Sequence, residues 1–547
     1  MKVIELYIGD HRVLRDLTVN FGVFDGKAHL TNKPRRYAID FLVGVNGTGK
    51  STLLRFLARI FYELERSGLQ NIRTQFRLKY VVHASAPIAS EETVLIEHKQ
   101  DGDGIWRTDY QINGQGVAGI EERHQPARIV VLTTGEESDW LDLRDGTNAA
   151  DAGSDEALNL TRTERYREEI PGHLPRPTTT EEPDADARSS TSKFLFVESE
   201  QLPLVTLCGL LVHEAERQSK SLADDLDTGD SQGGPLGLIL EECNIKDVVG
   251  FSMRCRVFNE LTTSSQKELV EGLRKQASRV VVQGADLLLV FMLDNRAHEI
   301  VQSLLPEEDG QGNGLALLEH LYPLTQRDEY GNQVLQDVDI FLRPYPEQAE
   351  DQNESDAAAQ VNPEGRPPIY MLKWLSDGEK TFLGRMCLLS LLDKANTLAL
   401  LDEPEVHFND YWKRRIVKLL SSVMRDREVH AIITTHSSIA LTDVPKKDVV
   451  LLKRPGLYTR RSEEPPMETF AADPSDIIVH VFDAPFAAGQ YGVEEVIDLL
   501  QGLETETVRQ RENAKLQLQA ILDDRKIAPG YFRFRVRERL HRLSQTN

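Results

Sequence analysis

Hydrophobic and polar positions alternate along the first residues of the chain. Val3, Ile4, Leu6 and Ile8, then Val13, Leu14, Leu17, Val19 and Phe21, predict two strands. Ala38–Val43 (AIDFLV) is a short, mostly apolar run, which predicts a buried strand. Beyond a glycine-rich stretch, Leu53, Leu54, Leu57, Ile60, Phe61 and Leu64 recur at helical spacing as far as Gly68. Residues 77–133 hold four β-rich runs, Leu78–Val82, Thr93–Glu97, Trp106–Ile112 and Arg128–Leu132, separated by Gly/Asp turns. Helical periodicity is read over Phe194–Asp225 and again over Gln266–Leu305, as one or two helices, with strands at Val248–Phe258 and Val338–Leu342. Glu347–Pro368 is a polar linker, and order is expected to return at Ile369.

Composition changes this picture in three places. At about 100–200 residues per domain, 547 residues allow three or four domains, or one large domain carrying insertions. With 64 Lys+Arg against 87 Asp+Glu the formal charge is −23, so contact with nucleic acid must come from a local patch and not from bulk charge. Residues 136–190 carry fifteen Asp/Glu against six Lys/Arg and little that could pack, which reads as a flexible acidic insertion. The four cysteines, Cys208, Cys243, Cys255 and Cys387, form no CxxC pair. They predict neither a zinc site nor a disulfide framework, and they suit a reduced, cytoplasmic setting. The longest apolar run, near Leu202–Val212, is too short for a bilayer, so no membrane role is expected.

Four segments carry chemistry. GVNGTGKS, residues 44–51, fits G-x-x-x-x-G-K-[ST] and lies between the buried strand and the amphipathic helix. Asn46, Gly47, Thr48 and Gly49 can turn backbone N–H groups toward phosphate oxygens. Lys50 adds a point charge, Ser51 a hydroxyl suited to Mg²⁺, and Thr52 opens a helix whose N-terminal partial charge favours anions. Thr397–Asp402 is a second apolar strand, ending in Asp402 and Glu403. The first acid is placed to hold Mg²⁺ and the second to polarise a water. A third strand runs through Ala431-Ile432-Ile433-Thr434 to His436, which is placed to sense a terminal phosphate. Leu375-Ser376-Asp377-Gly378-Glu379-Lys380 opens a further helix, and Ser376 and Gly378 at its N-terminus form a second anion-directed element.

Together these segments resemble the ABC-type ATPase head of the structural-maintenance, RecF-like and OLD-like groups. The order of motifs agrees: twenty-six residues separate Ser376 from Asp402, and thirty-four separate Asp402 from His436. The resemblance implies an α/β fold, a mixed sheet with a P-loop core, carrying an inserted helical lobe and the acidic flexible insertion. It implies ATP and Mg²⁺ as ligands, Lys50 as the Walker A lysine, Asp402 and Glu403 as Walker B, residues 375–380 as the signature loop and His436 as the switch histidine. In such heads two copies sandwich ATP, so Ser376 and Gly378 would act in trans in a homodimer or higher homo-oligomer, with Glu405–Asp410 crossing the seam. The chain departs from transporter signatures at Asp377 and Glu379. Arg128–Gly135 stands where a Q-loop glutamine would be sought, which would bring Thr133 or Thr134 near the metal.

More narrowly, Arg128–Trp140, LSDGEK, LDEPEVHFNDYWKRRIV and the Phe470–Tyr491 stretch resemble PtuA, the ATPase subunit of Septu-type anti-phage systems, including those attached to retrons. That implies a sensor or regulator ATPase controlling a separate HNH-type nuclease, and in retron versions a reverse transcriptase with its RNA–DNA product. No nuclease cluster is seen after His436. Two rivals remain: a DNA-repair or recombination ATPase that binds DNA directly, and an ATP-dependent scaffold with negligible turnover. The expected division is 1–135 and 369–455 as the two parts of the head, 136–192 the acidic insertion, 193–346 a helical/β lobe, 347–368 the linker, and 456–547 a tail for assembly or docking. In that tail Thr505–Asp524 is helical. Tyr531–Arg539 is basic and aromatic, open to reading as an edge strand, an amphipathic helix, a docking segment or a nucleic-acid grip.

Overall fold

The structure, a computed structural model, describes residues 1–22, 26–27, 29–30, 35–66, 68–83, 91–133, 140, 193–223, 236–256, 263–294, 296–305, 314–326, 332–345, 368–392, 395–425, 427–503 and 507–545. These form two compact units, 1–471 and 472–547. Of the acidic stretch 136–192 only Trp140 is described, and it is buried; the rest of that stretch, and linker residues 347–367, lie outside the described residues.

The core of the first unit is a seven-stranded mixed sheet. Its order is Arg461–Glu463, Val449–Lys453, Ala38–Val43, Val429–Thr434, Thr397–Asp402, Arg128–Thr133 and Phe194–Val197. All neighbours are parallel except the first pair. Four central strands are buried at every position, in keeping with their mostly apolar sequences. Parallel register brings Asp402, Thr434 and Thr133 to one level, with Leu42 paired to Thr434. The chain leaves these strands at their C-terminal ends, where ligands of open α/β sheets bind.

The helix Lys50–Arg66 packs its apolar stripe between this sheet and an antiparallel one, with Leu53, Leu54, Leu57 and Ile60 fully buried. Each such side chain contributes about 1.5–3 kcal/mol through burial. The antiparallel sheet holds the two N-terminal strands, Lys2–His11 and Leu14–Asn20, and the strands of residues 76–117.

The inserted lobe is not purely helical. It contains a five-stranded antiparallel sheet built on the long strands Ile245–Arg256 and Leu335–Pro344. Two sequence expectations are corrected here. Gln266–Leu305 is not one or two helices: between helices Ser264–Gln276 and Ala297–Leu304 runs a hairpin, Arg279–Gln283 with Asp286–Met292. Its cause is the β-branched run Val280–Val282 and the turn at Gly284, whose φ of 62° suits glycine. Phe194–Val197 is not helical but the edge strand of the central sheet; the helix begins at Leu202.

That helix, Leu202–Ala223, carries the helix Asp377–Ser390 against it. The approach is close: a Cβ on Gly209 would lie 2.6 Å from Cys387 Cβ, and one on Gly384 3.0 Å from Thr206 Oγ1. The second unit holds helices Gln490–Gly502, Val508–Asp523 and Tyr531–Gln545, with Ala514, Leu518, Val536 and Leu543 as its buried core. The basic segment is therefore an amphipathic helix, not an edge strand. Among the described residues no helix is long and apolar enough to cross a membrane.

Candidate functional site

The glycine-rich turn leaves the strand Ala38–Val43 and enters the helix Lys50–Arg66 directly. Gly44 and Gly49 have φ of 154° and 84°. A Cβ at Gly44 would sit 2.7 Å from the Leu452 carbonyl oxygen, and one at Gly49 2.7 Å from Val13 Cγ2 and Leu14 Cδ2. Both positions are therefore closed to any larger residue. Val45, Asn46 and Gly47 form the exposed crest, while Thr48 is buried and donates from Oγ1 to the Val45 carbonyl at 2.9 Å. Thr52 is buried in the first helical turn.

Residues that sequence reasoning did not single out brace this turn from outside. Arg454 donates to the Gly47 carbonyl at 2.7 Å, and Thr459 Oγ1 to the Thr48 carbonyl at 2.8 Å. Carbonyls tied back in this way leave the N–H side of the turn toward the open face. Arg454 stands some 400 residues from Gly47, and no local pattern announces the pair.

The strand ends supply the rest. Asp402, buried, accepts from Ser51 Oγ at 2.9 Å and from Thr434 Oγ1 at 2.6 Å. Burial raises its pKa above the usual carboxylate value, and the two hydroxyl bonds oppose that rise. Thr434 Oγ1 also accepts from the Glu403 backbone N–H at 2.8 Å. Glu403 is in the left-handed region, φ 49°, an uncommon state for Glu that re-aims its side chain toward His436. His436 Nε2 lies 3.2 Å from Glu403 Oε1. That bond, outweighing the opposing effect of burial, lowers the Glu403 pKa, so the carboxylate is ionised at neutral pH. Lys50 Nζ donates to the Gly44 carbonyl at 3.1 Å. Burial lowers its pKa, while the carboxylates of Glu403, Asp402 and Glu405 pull the other way.

Glu405, which the motif reading placed only in the loop crossing the dimer seam, has a role within the chain's own site. It is buried, accepts from Thr435 Oγ1 and from the His436 N–H at 3.2 Å, and so fixes the loop that presents His436. Burial raises its pKa. Its signal in the sequence was the third acid of LDEPE, with the doubled threonine Thr434-Thr435 before His436.

The structure thus brings Lys50, Ser51, Asp402, Glu403 and His436 to one face. Thr133 is buried and paired in register with Asp402; Thr134 lies outside the described residues. Tyr37 is buried, with Arg35 over its ring. Ser376 and Gly378 belong to the N-terminus of the helix Asp377–Ser390. Among the described residues no hydrogen bond joins them to residues 44–52. Ser376 is exposed and caps the helix Asp377–Ser390 through a reciprocal box with Glu379.

The fit to a divalent cation can be judged on these donors. A serine hydroxyl and a carboxylate sharing one hydrogen bond are hard oxygen ligands of the kind Mg²⁺ takes beside phosphate oxygens. A cation there would also relieve the burial that raises the Asp402 pKa. The residues fit.

A strand–turn–helix with this lysine, facing two strand-end acids, is the geometry of a P-loop nucleotide-binding site. Residues 313–443, under a quarter of the chain, match the family model described as "AAA domain, putative AbiEii toxin, Type IV TA system". That span holds the helix Asp377–Ser390, Asp402, Glu403 and His436, and marks an ATPase-type domain. No curated protein matches the chain. Among solved structures, the chain is similar to the SMC head domain from Thermotoga maritima, at 11% identity, TM-score 0.31, covering 85% of this chain and 100% of that one. An Smc head domain derived from Pyrococcus yayanosii, with a coiled coil and joint, matches at 12% identity and TM-score 0.31, covering 85% and 97%. An Smc head from Pyrococcus furiosus, bound to the C-terminal domain of ScpA, matches at 10% identity and TM-score 0.31, covering 85% and 96%.

Proposed function

We propose that the chain binds and hydrolyses Mg-ATP at a site completed by a second copy, and serves as the ATP-gated regulator of an anti-phage complex that acts through a separate nuclease. The observation that carries the first part is the unbroken chain Ser51–Asp402–Thr434–Glu403–His436 at the mouth of the glycine turn. In this reading the backbone N–H groups of residues 46–49 and the Lys50 ammonium hold the β- and γ-phosphates. Ser51 and Asp402 hold Mg²⁺, which when bound neutralises charge on the phosphates.

Glu403, ionised at neutral pH, accepts a proton from the attacking water. His436 holds that carboxylate in place and, from the same position, bonds the γ-phosphate. Ser376 and Gly378 cap the triphosphate of the facing copy with the N-terminus of the helix Asp377–Ser390. That they make no hydrogen bond to the chain's own glycine turn among the described residues supports completion in trans. The nuclease and retron partners rest on the PtuA resemblance of the sequence motifs; the DNA-repair reading is compatible with the same site.

Phosphate release from Mg-ATP, compared between wild type and Lys50→Ala, tests the enzyme reading. Turnover should fall by at least about a hundredfold; equal rates would overturn it. For the defence role, cells carrying the chain with its neighbouring genes should resist phage, and Lys50→Ala should abolish resistance. Resistance unchanged by that substitution would contradict the role while leaving the enzyme reading intact.

A further inference from the structure

The charge of the second unit is sharply segregated. Residues 472–524 carry three Lys/Arg against eleven Asp/Glu, whereas 525–545 carry seven against one. The unit's fold concentrates that excess. Val536 and Leu543 turn inward to the core, and the outward side of the helix Tyr531–Gln545 exposes Phe534, Arg535, Arg537, His541 and Arg542. The single acid, Glu538, is already engaged by Arg535 and Arg542.

The arginines differ in what they do. Arg533 donates to the Leu522 and Ile527 carbonyls at 3.2 and 3.3 Å, bracing the turn before the helix. Its guanidinium is committed to structure. Arg537 is exposed and, with Arg525 and Arg533, lines an open cavity of about 570 Å³. Residues 527–530 and Phe534, which is 60% exposed, line the same cavity. Tyr531, 59% exposed, lies one turn away with the Arg535 guanidinium 5.8 Å from its ring centroid.

An arginine-walled cavity beside an exposed aromatic ring matches the two halves of a nucleotide in a strand. Guanidinium groups pair with phosphate oxygens in bidentate fashion. A ring such as Phe534 offers a stacking face to any base, with cation–π support from neighbouring arginine. A duplex hides its base faces, so only an unpaired strand can use the ring. An acidic peptide would satisfy the arginines but gives Phe534 nothing flat to meet.

The geometry points to residues 525–537 as a docking surface for single-stranded nucleic acid, gripped by Arg525 and Arg537 and stacked on Phe534, while Arg535 is held by the Tyr531 hydroxyl and Glu538. The surface lies wholly within the unit 472–547 and needs no nucleotide at the P-loop site, so its success or failure is independent of the ATPase reading.

The test is fluorescence anisotropy of the full chain, without ATP, against labelled oligo(dT) and oligo(U) strands of about twenty nucleotides and a duplex of equal length. Both strands should bind and the duplex should bind more weakly; preference for either sugar supports the proposal equally. Arg525→Ala/Arg537→Ala should weaken strand binding at least about tenfold and reduce the slope of log K against log salt by about 1.4. Phe534→Ala should weaken binding about tenfold with the slope unchanged. Arg533 is left intact, and an unchanged melting temperature confirms that each variant folds. Three results would overturn the proposal: no strand binding by wild type, wild-type affinity in both variants, or displacement of the strand by poly-glutamate that binds as tightly and ignores Phe534→Ala.

Discussion

Asp402 and Glu403 are adjacent acids that their surroundings drive in opposite directions. Burial raises the first; His436 lowers the second. The pair can therefore divide metal binding from proton acceptance. Glu403→Gln keeps shape and removes the base, so turnover should drop by about 10²–10⁴ while nucleotide binding persists. Single-turnover phosphate release beside an equilibrium binding titration checks this; equal losses in both would mean that Glu403 serves binding. A second residue cluster sits at the opposite end of the same strands. His430 Nδ1 accepts from the Val3 N–H at 3.0 Å, so Nε2 carries the proton and donates to Asp40 at 2.6 Å, with Lys2 bonded to the same carboxylate. Burial pushes the His430 pKa down to about 4, and Asp40 is also lowered, chiefly by Lys2 against the opposing effect of burial. His430 then contributes stability that is complete above its ordinary value of about 6.5 and is lost as pH falls through about 4, while the contribution of Asp40 persists to lower pH and is lost only below the ordinary carboxylate value of 3.8. The melting temperature should decline across that window, and His430→Asn should flatten the decline; an identical pH profile in the variant would contradict the assignment. Neither Thr434 nor Glu405 was legible as part of the site, because each acts through a partner thirty residues away on a neighbouring strand.

At the scale of elements, the helix Asp377–Ser390 and the loop after Asp402 are one packed body. Buried Arg385 donates to the carbonyls of Pro404 and Val406, the Phe382 ring stacks on Trp412 at 4.6 Å, and a Cβ on Gly378 would meet the His407 carbonyl at 2.9 Å. Arg385→Met would strand two buried carbonyls at a cost of about 1–3 kcal/mol each. Its melting temperature should fall by several degrees, whereas an unchanged melt would show that water replaces the guanidinium without penalty. The same scale shows where sequence patterns suffice. A buried strand, a glycine turn and an amphipathic helix announce residues 38–66 unambiguously, since each step carries its own local signal. The hairpin Arg279–Met292 did not announce itself, because an apolar run such as Leu287–Met292 satisfies either period and only pairing with Ile245–Arg256 decides it. Phe194–Val197 was missed for a related reason: four residues are too few to show a period, and their strand state comes from Arg128–Thr133 alongside.

At the scale of the molecule, the chain places its phosphate-binding turn and its LSDGE helix terminus on separate elements that no hydrogen bond connects among the described residues. We propose that a second copy brings its LSDGE terminus to this turn. The measurement that tests it most directly is ATP hydrolysis by mixtures of two inactive variants, Lys50→Ala and Ser376→Arg. A head-to-head pair built from one of each retains one intact site, the Lys50 of one copy facing the Ser376 of the other. Equal mixing should therefore restore about a quarter of wild-type turnover, from one intact site in half of the dimers. A mixture as inactive as its components would contradict completion in trans.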